Sequence, residues 1–122
     1  MKAFKLINTE NNTCTFLEGN IPENLHIDAT HFFAQTHIDA YELRAHPAPR
    51  YQFVITLKGK LKFTVSNGDS FIIEPGTILV AKDLEGEGHT WKLIEGDTWQ
   101  RIYIVPHAEA EDHFIPDNKL VQ

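Results

Sequence analysis

The sequence predicts an all-β domain, and three observations carry that expectation. Apolar residues recur with a period of two over short runs, helical periodicity is hard to find, and turn residues separate most runs. Phe4 to Ile7 and Thr13 to Leu17 read as leading strands, before Gly19-Asn20-Ile21-Pro22 breaks the chain. His31 to Thr36 and Tyr41 to His46 follow as strands joined near Ile38-Asp39. Tyr51 to Leu57 is β-branched and aromatic and ends at Lys58-Gly59, and Leu61 to Val65 alternates apolar and polar. Asn67-Gly68 suits a type I′ turn because both residues tolerate positive φ, and Ser70 to Ile73 is the return strand. Glu74-Pro75-Gly76 is a second tight turn, with proline presetting φ and glycine free to take a positive value. Thr77 to Ala81, His89 to Leu93 and Trp99 to Val105 complete about ten strands, the last two joined through Glu95-Gly96-Asp97. Such spacing indicates a sandwich, jelly roll or closed barrel rather than βαβ units.

The chain has 122 residues, one domain's worth, and enough to bury a core without metal or disulfide support. The domain is expected over residues 1–106, followed by a polar tail, 107–122, whose apolar residues are Phe114, Ile115, Leu120 and Val121. That tail is expected to pack on a neighbouring subunit or to fray. The formal net charge of −6 disfavours a phosphate-binding face, so no nucleic-acid partner is expected. Nor does the chain carry a polybasic patch for anionic lipid, and no apolar run approaches the roughly 20 residues that span a bilayer. Met1 to Ile7 is too short for a signal-peptide core. Cys14 is the only cysteine, which rules out an intrachain disulfide and suits a reducing compartment. A cytoplasmic location is therefore expected, with Cys14 a small strand residue between Thr13 and Thr15.

The chemistry concentrates in His46-Pro47-Ala48-Pro49-Arg50-Tyr51-Gln52 and at His89. In a strand, residues two apart share a face. His46, Ala48, Arg50, Gln52, Val54 and Thr56 would point one way, and Tyr51, Phe53, Ile55 and Leu57 the other. The first set lines a cavity with a polar mouth and an apolar floor, or else faces solvent at its polar end; periodicity leaves both readings open. Pro47 and Pro49 lack backbone N–H groups, so this stretch is an edge or an entrance to a strand. Trp91 shares parity with His89, and Trp99, Arg101 and Tyr103 form another same-face set. His26, His31, His37, His107 and His113 read as surface residues, and Asp83, Glu85 and Glu87 as a solvated acidic rim ahead of His89.

The stretch from His46 to Gly59, followed by Pro75-Gly76 and then Gly86-Glu87-Gly88-His89, resembles the two motifs of the cupin superfamily. The first motif runs His-x-His, three or four residues, Glu, six residues, Gly; the second centres on Pro-Gly and a later His. His46 stands at the first His position, and Gln52, seven residues before Gly59, stands at the Glu position. Ala48 occupies the second His position and His89 that of the second motif's His. The resemblance covers roughly residues 30 to 106 and is to a subgroup of small single-domain cupins. It implies a double-stranded β-helix, or jelly-roll barrel, and a divalent metal (Fe, Ni, Mn or Zn) held by His46, Gln52 and His89. The departures weaken that centre: Ala48 supplies no donor, Gln52 is uncharged, and an inward Arg50 adds positive charge.

Two uses of the site follow. A metal-dependent enzyme of dioxygenase or isomerase type would use His46, Gln52 and His89. A metal-free pocket would bind a small, polar or anionic molecule through His46, Arg50, Gln52, His89 and Trp91, with the Arg50 fork suited to carboxylate or phosphate. Arg50 has a purely structural alternative, pairing with an acid such as Glu42 or Glu85. A third reading is a non-catalytic accessory dimer. A homodimer is expected in any case, because the Tyr51 to Leu57 apolar face and the strand edges need cover.

Overall fold

Alternating apolar and polar residues become sheet wherever both faces find cover. The computed structural model describes residues 1–117, and these form an all-β fold with one short 3-10 helix. The strands are β1 (Lys2–Asn8), β2 (Cys14–Asn20), β3 (Ala29–Gln35), β4 (Gln52–Thr64), β5 (Ser70–Ile73), β6 (Ile78–Ala81), β7 (Thr90–Pro106) and β8 (Ile115–Pro116). They build one mixed sheet in the order β3-β7-β4-β6-β1-β2-β8, with β5 paired to the second half of β4. β1 and β6 run parallel, whereas β4 meets β5, β6 and β7 antiparallel. The sheet of the described residues does not close into the expected barrel, because β3 and β8 end its order as edges and β5 pairs on one side only.

Four expected strands are two long ones. β4 runs straight through Lys58-Gly59, and β7 runs through Glu95-Gly96-Asp97. Gly59 takes φ +108°, and the β4–β7 register shifts between Thr56 and Leu61. A bulge bends a strand without ending it, so breaker residues here mark a corner. Tyr41 to His46 is not a strand. Ala40–Leu43 is a 3-10 helix, started where the Glu42 carboxylate accepts the Asp39 N–H at 2.7 Å.

The Asn67-Gly68 turn differs from the expected type I′. Only Gly68 takes a positive φ, and Val65 accepts the Gly68 N–H at 2.9 Å while its own N–H bonds Asp69. This is a three-residue connection closing on a left-handed glycine. Asn67 contributes through its side-chain oxygen, which accepts the Asp69 N–H. At Glu74-Pro75-Gly76 the expected turn forms, with Gly76 at φ +96° and the Thr77 N–H on the Glu74 carbonyl.

One face of the sheet holds the main core. Leu6, Leu61 and Ile73 are completely buried there, alongside Phe63, Leu79 and Trp99. Each fully buried aliphatic side chain contributes about 1.5–3 kcal/mol. Tyr51 and Phe53 point to the opposite face. Ile21, Val80 and Phe114 of the same chain pack on them, so that part of the odd-numbered face needs no partner; Leu57 stays exposed. Residues 107–117 dock on their own chain: β8 pairs with β2, and the buried Asp112 carboxylate pairs with Lys5 at 2.7 Å and Lys82 at 3.2 Å. Leu120 and Val121 lie outside the described residues. No helix among the described residues is long and apolar enough to cross a membrane.

Candidate functional site

The strand entrance and the later Gly-x-Gly-His bring two imidazoles together. His46 and His89 form a bridge in which each backbone N–H bonds the other's carbonyl at 3.0 Å. Gly88 makes that approach possible. Its φ is +76°, and a Cβ there would overlap the His46 carbonyl. The two rings lie 4.9 Å apart between centroids.

Each ring is pinned through Nδ1. His46 Nδ1 is 2.8 Å from the Arg44 carbonyl, and His89 Nδ1 is 2.6 Å from Asp83 Oδ2. Both partners are acceptors, so Nδ1 carries the proton and Nε2 is left as the free basic nitrogen. Burial holds the His46 imidazole below its ordinary value; the Arg44 carbonyl opposes this, and His89 reinforces it. His46 is thus a neutral base at physiological pH.

Gln52, the first residue of β4, is buried and pairs with Ala81 on β6. Its Oε1 accepts Arg50 Nη1 at 2.7 Å. Because arginine only donates, this bond fixes the amide and leaves its NH₂ as the free end. Around these groups closes a cavity of about 30 Å³. His46, Gln52, His89 and Trp91 line it, and Tyr41 and Glu42 of the 3-10 helix cap it. That space holds one or two water molecules.

Arg50 does not line the cavity. It is exposed, with its guanidinium 5.8 Å from the Phe33 ring. The expectation of an inward Arg50 extended the period-two rule into a stretch that is not strand: β4 begins only at Gln52, because Pro47 and Pro49 cannot join a ladder. The partner imagined for Arg50, Glu42, belongs to Arg101. Arg101 is fully buried, donates to both Glu42 oxygens at 3.0 and 3.3 Å, and lies 4.2 Å over Trp99. It also holds the Thr36, His37 and Trp99 carbonyls and the Tyr103 hydroxyl. A charged residue between Trp99 and Tyr103 on one strand face was the available signal.

Asp83 corrects a second expectation. Glu85 and Glu87 are exposed as a rim should be, but Asp83 has no exposure. Parity was the missed signal: Leu79 and Ala81 face the cavity, and Asp83 continues their side. Among the remaining histidines, His26, His31, His37 and His107 are exposed and His113 is half-buried.

The residues do not fit a cupin-type metal centre at His46, Gln52 and His89. Ala48 offers no donor, and the one oxygen Gln52 has for a cation is taken by Arg50. Two imidazoles remain, and the carboxylate in the cavity wall, Glu42, is already engaged by the buried Arg101. On the far side of His89, however, Cys14, Asp83 and His89 each present a ligand atom, all within 4.8 Å of one another, and this buried group could hold a metal ion. No family model matches the chain, and no curated protein or solved structure matches it.

Proposed function

We propose that this protein is a small-molecule-binding domain of cupin type, with the ligand held without metal at the His46/His89 pair. The carrying observation is the double pinning of Nδ1. It leaves an unpinned Nε2 on each of two rings 4.9 Å apart, and both histidines and Gln52 line the cavity. Such a site suits a small uncharged polar molecule that offers hydroxyl or N–H groups to the imidazoles and an oxygen to Gln52. An anionic ligand suits it less, because the exposed Arg50 stands outside and the Glu42 carboxylate is in the wall.

The order of motifs and the all-β class support the cupin reading. A second reading, proton transfer on the bound molecule, is favoured by the Asp83–His89 contact. A buried carboxylate behind an imidazole fixes the tautomer and stabilises the imidazolium formed when Nε2 takes a proton. The accessory-dimer reading keeps a homodimer as its test, through the outward row Phe32, Ile104, Ile102 and Ile55.

The test is a fragment screen of small polar molecules by thermal melting, on protein stripped with chelator. A ligand found this way should lose about tenfold or more in affinity in His46→Ala and in Gln52→Leu. Arg50→Ala should cost less than Gln52→Leu. Binding that survives loss of both imidazoles would remove the proposal.

A further inference from the structure

We infer that Cys14, Asp83 and His89 form a second site, buried behind the cavity, that takes a borderline-soft divalent cation of the zinc class. Three parts of the chain build it: the first residue of β2, the loop after β6 and the residue before β7. Their exposures are 2%, 0% and 5%. Asp83 Oδ2 accepts from both neighbours, His89 Nδ1 at 2.6 Å and Cys14 Sγ at 3.3 Å.

The independent pointer to a ligand is Asp83 Oδ1. It is fully buried and has no hydrogen-bond partner. Native interiors seldom leave such an atom unpaired, because its desolvation is not offset. Among the described residues, no Lys or Arg pairs with Asp83; its one ionic contact is His89. A cation supplies what this carboxylate lacks.

The donor set selects the ion. One sulfur, one carboxylate oxygen and one imidazole nitrogen are zinc ligands, with a water left to complete four-coordination. Calcium and magnesium want more oxygen ligands than three residues of this kind provide. Tetrahedral zinc spaces its ligand atoms by roughly 3.2–3.7 Å, so a group already within 4.8 Å needs only local adjustment. Charge closes as well: a divalent ion with one thiolate and one carboxylate is neutral, as a buried site requires. Cys14 also walls a surface depression with Thr13, Thr15 and Ser66, which gives the ion a route.

The site itself does not depend on the cavity's ligand.

Cobalt(II) reports the site, because a thiolate ligand adds a charge-transfer absorption in the near ultraviolet. Protein purified without an affinity tag and stripped with chelator is titrated with Co²⁺, and a parallel sample is refolded in its presence. The expected result is one equivalent bound with the thiolate band, lost in Cys14→Ser and retained in His46→Ala. Since Cys14 is the only cysteine, the band in the unmutated protein already assigns the ligand if Cys14→Ser fails to fold. No uptake in either sample, uptake without the band, or a band that survives Cys14→Ser overturns the inference. Loss of the band in His46→Ala would also overturn it, placing the ion in the cavity instead.

Discussion

His46 and His89 carry the account at the scale of single residues, and their Nδ1 partners matter as much as the rings. The sequence showed the two histidines, Gln52 and Trp91, because a strand entrance and a Gly-x-Gly-His are local patterns. It did not show Asp83 or the Arg101–Glu42 pair, whose partners lie 6 and 59 residues away and meet only through sheet pairing. Arg101 is the sharper test of that pairing. Its guanidinium is buried, and Glu42 is its only carboxylate among the described residues. Glu42→Gln leaves that charge without a counter-ion, and a loss of about 3–5 kcal/mol is expected in urea unfolding at neutral pH. A loss below about 1 kcal/mol, the value of an exposed pair, would show that Arg101 does not depend on Glu42.

Single elements decide whether the site closes. Tyr41, Glu42 and His46 line the cavity from the segment 36–46, which Arg101 ties down at Thr36, His37 and Glu42. A cavity of about 30 Å³ must widen to admit a ligand larger than one or two waters. The capping signal, Asp39 three residues before Glu42, was present in the sequence, but apolar spacing from Tyr41 suggested a strand instead. Gly88 is the other decisive position. Gly88→Ala combines a strained positive φ with overlap on the His46 carbonyl, so it should cost about 1–3 kcal/mol. Amide exchange should then lose protection at His46 and His89 first; unchanged protection there would mean the bridge is not what Gly88 serves.

The segment after β7 has its own pH signature. Burial alone would raise the Asp112 carboxyl, but Lys5, the Phe114 N–H and Lys82 hold it below its ordinary 3.8. A lowered folded value means that the unfolded chain binds the proton first. This stabilisation is therefore full above the unfolded value and is lost as pH falls through the folded one. Asp112→Asn should flatten the stability profile in that acid range and leave the slope above it unchanged, as read by thermal melts across pH.

At the scale of the whole molecule, the sheet packs a core cluster on each face, and among the described residues β3, β5 and β8 each pair on one side only. The all-β class was legible because alternation is local. Closure was not, because edges depend on which strands pair at long range. Gly59 and Gly96 misled for a related reason: a bulge and a turn share the same residue preferences. The outward face carries Ile55, Ile102 and Ile104 in register, with Phe32 71% exposed beside the unpaired edge of β3. If a second copy covers this face, Phe32→Asp should shift light scattering toward monomer. A monomer in the unmutated protein would refute it.

The paired imidazoles are tested most directly by nitrogen-15 NMR of the histidine rings. The measurement belongs on metal-free protein at about pH 8, above the ordinary imidazole range. Both rings should show a proton on Nδ1 and a bare Nε2, and a bound polar fragment should move both Nε2 signals. A proton on Nε2 of either ring, or a fragment that moves neither signal, would contradict the account.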